Sequence, residues 1–380
     1  MYQPKSLHEI RVYHSKIIMS TLRQNGPMTK NDLALKTGLS LSSVTNILKI
    51  LTDRELVTLG DKIDSFAGRP ATYIVPVLDA VYSVGIEVSQ YSVRFVLMNL
   101  GEPILAKEKH DALFENSDAY WDAIHEWLEA FIDANNVDRG KLGGVVLATR
   151  LAVSSGERIG NIPVLLDRSA EMIDTEALCR KFEEYNFDVA LNTKIAGAIY
   201  GLWESKDLPD YVYLSVDSTI GGCVVRNYES VNIYDLSDNF GHMTVHPGGK
   251  RCSCGRTGCL ETQCTASGLY MRLNLSSLDE FFTELENGNE DCAARWETYL
   301  DDLCVALNNL YMSYDMDIVI GGTMAQYLDR YREEIDRRVF ADYALFPVKR
   351  KLIFAHNGEY AAAIGAAAVV IEKFIAKKIS

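Results

Sequence analysis

The stretch from Gly241-His242 to Cys252-Ser253-Cys254-Gly255-Arg256-Thr257-Gly258-Cys259-Leu260-Glu261 constrains this chain more tightly than any other. Three thiols and one imidazole fall close together, and the intervening glycines let the backbone fold back on itself. A Cys3His set fills the tetrahedral shell of Zn²⁺ and leaves no position open, so the expected metal is structural. Its ligands would be His242, Cys252, Cys254 and Cys259, and binding would contribute on the order of 10 kcal/mol to local folding. The competing reading is a set of buried free thiols. Eight cysteines in 380 residues are too sparse for a secreted disulfide scaffold. Cys179, Cys223, Cys264, Cys292 and Cys304 read as small core residues.

Hydrophobic residues make up 48% of the chain and charged residues 24%, the mix of a soluble globular protein of about three domains. Met1 is followed by Gln3, Lys5, His8 and Glu9, not by the apolar core of a signal peptide. No apolar run approaches the roughly 18 residues of a membrane span, and a cytoplasmic location is expected. The formal charge of −14 argues against nucleic acid until it is divided by segment. Residues 1–75 hold ten Lys and Arg against six Asp and Glu, a balance of +4 that leaves −18 for the remainder. Only the N-terminal segment suits a polyanion.

That segment has the pattern of a DNA-binding module. Apolar residues at Ile17, Ile18 and Leu22 predict a first helix from about His14 to Gln24, stopped by Asn25-Gly26-Pro27. Thr29 can cap a short second helix that closes at Thr37-Gly38, and Ser40 can cap a third through about Asp53. In the third helix Val44, Ile47, Leu48 and Leu51 face inward, leaving Ser42, Ser43, Thr45, Asn46 and Lys49 outside. Two helices joined by a short glycine turn make a helix-turn-helix, whose second helix enters the major groove. Small and amide side chains there can reach bases or phosphates. Strands at Leu56–Leu59 and Ala71–Val75 flank a polar loop containing Gly68-Arg69-Pro70, the pattern of a wing. Lys30, Lys49, Lys62 and Arg69 are expected to neutralise phosphates, with Asp61 and Asp64 working against that contact, and Thr29 counts among the DNA-binding candidates. A three-helix bundle that binds protein is the plainer alternative.

From Val77 the pattern changes to short β-rich runs at Tyr82–Val88, Val93–Met98 and Pro103–Ala106, a helix from about Ser117 to Ala134, and a strand at Gly143–Ala148. A similar order recurs at Tyr211–Ser215, Gly221–Val225 and Asp317–Gly322. This duplicated α/β arrangement resembles the actin-like fold of the sugar kinase/Hsp70 type. The pairs Gly221-Gly222 and Gly321-Gly322 fit a tight turn as well as a phosphate cradle.

With the cysteine motif, Gly241-His242, Gly68-Arg69-Pro70 and Gly321-Gly322, the chain resembles the ROK family of repressors, open reading frames and kinases. The resemblance implies a winged helix-turn-helix over 1–76 and a two-lobed ROK domain over 77–380, with its zinc loop at 242–259. It implies a sugar site beside the zinc module, with Asn161, Asn192, Asn239 and Glu261 at the ligand positions. It also implies homodimers or homotetramers on a double-stranded operator. The family's kinases carry Asn-Asp-x-Asn, whose Asp is the catalytic base; here Asn192-Thr193-Lys194-Ile195 puts Thr193 in that place. Their first phosphate loop, Asp-x-Gly-Gly-Thr, becomes Glu87-Val88-Ser89-Gln90-Tyr91, and Asp217 and Thr219 replace glycines of the second. Their sugar-binding Glu-x-Gly-His becomes Asn239-Phe240-Gly241-His242. The expectation is therefore a repressor controlled by a carbohydrate, with kinase activity lost and no catalytic residues. The alternatives are a DNA-binding regulator controlled by a protein partner and a sugar kinase with an accessory domain.

Overall fold

A computed structural model describes residues 7–63, 71–89, 91–101, 104–149, 153–154, 173–190, 197, 208, 210–226, 229–231, 240–341, 350–356 and 358–379. Asn161, Asn192, Thr193, Asn239 and Arg69 lie outside them, as do the other residues of the Gly68-Arg69-Pro70 turn. Contacts divide the chain into two units. One comprises 1–151, 173–191 and 363–380; the other comprises 152–172 and 192–362.

In the first unit, three helices open the chain: α1 (Leu7–Asn25), α2 (Lys30–Thr37) and α3 (Leu41–Asp53). The first helix starts well before the expected His14. Residues 7–13 contain no breaker, and the apolar spacing used to place the start is weaker there than in the following turns. A capping box opens α2: the Asp32 amide donates to Thr29 Oγ1 and the Thr29 amide to the Asp32 carboxylate, both at 3.2 Å. Gly38, at φ 68°, ends it in the left-handed conformation and turns the chain into α3. Ser40 then caps α3 by accepting from the Ser43 amide at 3.1 Å. Antiparallel strands β1 (Val57–Ile63) and β2 (Ala71–Pro76) complete the module. Ile18, Met19, Leu22, Leu33, Val44, Leu51, Leu56 and Ile74 form its buried interior.

The same unit contains a five-stranded sheet built from β3 (Tyr82–Val88), β4 (Ser92–Asn99), β5 (Ala106–Asp111), β6 (Leu142–Thr149) and β7 (Phe187–Ala190), ordered β5-β4-β3-β6-β7. The first three strands pair antiparallel, and β3, β6 and β7 run parallel. β5 lies later than the expected Pro103–Ala106. Its residues, Ala-Lys-Glu-Lys-His-Asp, alternate half-buried with exposed at the sheet edge, so the apolar signal pointed to the residues before it. Helix α4 (Asp118–Ala134) starts where expected, and Ser117 caps it by accepting from the Tyr120 amide.

The second unit repeats this topology. Strands β8 (Tyr211–Val216), β9 (Ile220–Arg226), β10 (Glu229–Val231), β11 (Asp317–Gly321) and β12 (Leu352–Phe354) are ordered β10-β9-β8-β11-β12. The three early strands are again antiparallel and the later two parallel to β8. Two sheets of one order in one chain are the duplicated lobes expected of the actin-like fold. The glycine pairs serve packing here: a Cβ on Gly222 would lie 1.9 Å from the Tyr213 carbonyl, and one on Gly322 2.4 Å from that of Val216. A helix of 25 residues, α6 (Glu290–Tyr314), and the short α5 (Leu260–Cys264) pack under this sheet with Trp296, Leu300, Leu303 and Leu307. The C-terminal α7 (Ala361–Ile379) crosses the first sheet at Gly85, where a Cβ would meet the Ala363 carbonyl at 1.8 Å. Cys223, Cys264, Cys292 and Cys304 are buried as expected, but Cys179 is only half-buried, because it sits beside the inward Leu178 on a short peripheral helix.

Candidate functional site

The N-terminal face is built by the periodicity of α3. Val44, Ile47, Leu48 and Leu51 are buried, which turns Ser42, Thr45, Asn46 and Lys49 to solvent; Ser43 is half-buried. Lys30 is exposed at the start of α2, whereas Thr29 is engaged in capping that helix. Not every hydroxyl expected to meet a base is free to donate. Thr45 donates to the Leu41 carbonyl at 2.8 Å, and the Ser42 and Ser43 hydroxyls each lie 2.9 Å from that of Ser40. The sequence reading passed over Leu41, which is 50% exposed at the first position of α3. Its apolar spacing with Val44 and Leu48 gave no sign of that exposure.

The second site brings His242, Cys252, Cys254 and Cys259 together, with their ligand atoms all within 4.8 Å of one another. Cys252 Sγ lies 3.5 Å from His242 Nδ1, and Cys254 Sγ lies 3.6 Å from Cys259 Sγ. Local turns make this possible. The Cys252 amide donates to the Arg256 carbonyl at 2.7 Å and the Gly255 amide to the Cys252 carbonyl at 3.0 Å, closing a knuckle around Cys254. The Leu260 amide donates to the Met243 carbonyl at 2.8 Å, which ties the histidine segment to Cys259. Gly258, at φ 71°, passes so close to the His246 carbonyl that a Cβ would lie 1.7 Å from it. Burial opposes ionisation of the Cys254 thiol, but donation from the Arg256 backbone and the neighbouring thiols brings it down to about 7. Burial, with the adjoining sulfurs, pushes Cys259 up to about 12.

The turns that would face phosphate in a kinase engage their own amides. At the β3–β4 turn the Ser89 amide donates to the Ser92 carbonyl at 3.0 Å, and the Ser92 amide to Ser89 Oγ at 3.2 Å. Tyr91 is exposed at its tip, and Glu87 is buried against Arg94 at 3.2 Å. At the β8–β9 turn the Asp217 amide donates to the Thr219 carbonyl at 3.2 Å, and the Ser218 amide to Asp217 Oδ1 at 2.7 Å. The Ile220 amide donates to Glu261 Oε2 at 3.0 Å. Glu261, expected at a sugar position, thus has one carboxylate oxygen holding this turn.

Comparison with known proteins gives matches to both parts. The ROK family model matches residues 83–373, and a winged helix-turn-helix DNA-binding model matches residues 14–58. The xylose repressor of Bacillus spizizenii is 22% identical over 386 residues, covering 96% of this chain and 97% of the repressor. Among solved structures, a ROK family transcriptional regulator, a homologue of the E. coli MLC protein, superposes with a TM-score of 0.71 at 18% identity, covering 98% of both chains. The ROK hexokinase from Thermus thermophilus superposes with a TM-score of 0.59 at 19% identity, covering 76% of this chain and 97% of the hexokinase.

Proposed function

This chain belongs to the ROK family, and from that membership we propose that it is a DNA-binding transcriptional repressor whose ROK body senses a carbohydrate and has lost phosphoryl transfer. The observation that carries the proposal is α3: a capped helix behind a glycine turn, with its apolar stripe buried and Ser42, Thr45, Asn46 and Lys49 outward. Such a helix fits the major groove, with its N-terminal residues toward base edges. The wing, with Arg69, would add a phosphate or minor-groove contact. The likeness to a xylose repressor over nearly the whole of both chains supports the repressor reading.

In this reading residues 1–76 form the DNA-binding domain and residues 77–380 the ROK domain. Loss of kinase activity is supported at both turns. A phosphate cradle needs free backbone N–H groups, and those of Ser89, Ser92, Asp217, Ser218 and Ile220 already have acceptors. Thr193, at the position of the family's catalytic Asp, is too weak a base to replace a carboxylate. The sugar would be held by Asn161, Asn192, Asn239 and the remaining oxygen of Glu261. Zinc would be held by His242, Cys252, Cys254 and Cys259 as a structural ion. Tetrahedral zinc places its ligand atoms about 3.5–3.8 Å apart, in line with the observed 3.5 and 3.6 Å. Operator half-sites favour a two-fold dimer or tetramer. No described helix is long and apolar enough to cross a membrane, in keeping with a cytoplasmic regulator.

Glu261 favours a second reading, in which a protein partner replaces the sugar, because its bond to the Ile220 amide gives the carboxylate a structural role. Gel-shift titrations on the promoter region beside the protein's own gene and on random DNA, at two salt concentrations and with a panel of monosaccharides, test both readings. Promoter DNA should bind more tightly and one sugar should release it; release by none favours the partner. Asn46→Ala should erase the promoter preference. Lys49→Ala should weaken binding to every duplex and reduce the salt slope by about one unit. Equal affinity for both DNAs, unmoved by either substitution, would remove the DNA-binding function.

A further inference from the structure

The outward face of α3 has fewer hydroxyl protons to offer than its sequence suggests. Thr45 gives its proton to the Leu41 carbonyl at 2.8 Å, so it has no hydroxyl proton left for a ligand and offers its γ-methyl and an acceptor oxygen instead. The Ser42 and Ser43 hydroxyls each bond that of Ser40 at 2.9 Å, and Ser40 Oγ also accepts the Ser43 amide. Beside Thr45, one turn earlier, stands Leu41, half in solvent. Leu35 on α2 and Leu59 on β1 are exposed as well, but Leu41 belongs to the element that enters the groove. The apolar group that base edges present in the major groove is the C5-methyl of thymine.

Resting on the DNA-binding reading above, we propose that Leu41 and the Thr45 methyl read thymine methyl groups. The operator then carries thymine beneath the first turn of α3. Asn46, exposed on the adjoining position, has the amide geometry to pair with N6 and N7 of an adenine. The partner is therefore an A·T-containing half-site read in the major groove, by apolar contact more than by serine and threonine hydroxyls. Lys49, one turn beyond Thr45, supplies the sequence-independent phosphate contact.

The full-length protein is first used to select binding sites from a randomised duplex pool. The enriched operator is then made in two forms, with thymine and with deoxyuridine, which differs only in lacking the C5-methyl. In anisotropy titrations the wild-type protein should bind the uracil duplex about fourfold more weakly per contacted methyl, the equivalent of ~0.8 kcal/mol for a buried methyl-sized group. Leu41→Ala should bind the thymine operator more weakly by a similar factor and lose most of its response to uracil. Its salt slope should stay that of the wild type, because Leu41 neutralises no phosphate. The uracil comparison on wild-type protein needs no variant to fold. Equal wild-type affinity for the two forms overturns the inference and leaves operator recognition standing. A uracil effect undiminished in Leu41→Ala overturns the assignment to Leu41. If no sequence is enriched, both the inference and the DNA-binding reading fall.

Discussion

At the scale of single residues, the sequence picked out the four groups that gather at the cysteine loop, while the structure shows which hydroxyls and carboxylates the fold has already engaged. Cys3His spacing was readable because few other arrangements gather three thiols and an imidazole, and the four groups do converge. The purified protein should carry about one zinc per chain by elemental analysis, and Cys254→Ser should lower both zinc content and melting temperature. Protein prepared without chelator and lacking zinc would contradict this. Glu261 and Thr45 show where residue-level reading stops. A sequence gives a side chain's donors and acceptors but not which of them the fold has already engaged. The bonds to the Ile220 amide and the Leu41 carbonyl became visible only once the turns had closed.

Elements with a strong period and a cap were the legible ones. Thr29, Ser40 and Ser117 each start a helix where a hydroxyl precedes an apolar stripe, and β3, β4, β6, β8 and β11 follow runs of β-branched residues. Edge strand β5 was displaced because its residues are mostly charged, so pairing with β4 defines it more than composition does. Contacts between distant elements gave no local signal at all. One of them holds the cysteine loop to α6: His246 Nδ1 lies 3.1 Å from Asp302 Oδ1, and Asp302 is only 5% exposed. Its other oxygen is buried without a partner. His246→Ala would leave both oxygens of a buried carboxylate unsatisfied, and should lower unfolding stability by about 1–3 kcal/mol in urea titrations. Adding Asp302→Leu should recover much of that loss, because two apolar groups replace a broken polar pair. A double variant no more stable than His246→Ala would mean that the pair does not brace the loop.

The whole molecule joins a body of two like sheets to a winged helix-turn-helix, and the proposed function needs the first to control the second without chemistry. Purified protein with ATP and a panel of sugars should give no sugar-dependent ATP hydrolysis. Thr193→Asp should not create any, because the backbone amides of both phosphate-facing turns remain engaged. Control then has to travel through contacts, and the first unit contains one that joins the DNA module to the ROK body. Arg23 Nη2, near the end of α1, lies 2.9 Å from Glu372 Oε1 on α7, the helix packed backbone to backbone on β3 at Gly85. The Arg23 side chain is 11% exposed and that of Glu372 36%, so this pair is partly shielded from the screening that makes surface ion pairs weak. A link of this kind can bias the orientation of α1, and through the shared core that of α3, toward or away from operator geometry. Allosteric coupling between such sites is typically about 1–3 kcal/mol, or roughly 5- to 150-fold in affinity. Glu372→Gln keeps the shape and removes the charge. It should leave operator affinity without sugar within about twofold while cutting the factor by which the releasing sugar weakens that affinity. The measurement is a pair of operator titrations, with and without the sugar that raises the melting temperature of the wild-type protein. An unchanged sugar effect in Glu372→Gln would place the coupling elsewhere, whereas loss of operator binding in the absence of sugar would make the pair a support of the DNA module and not a conduit to it.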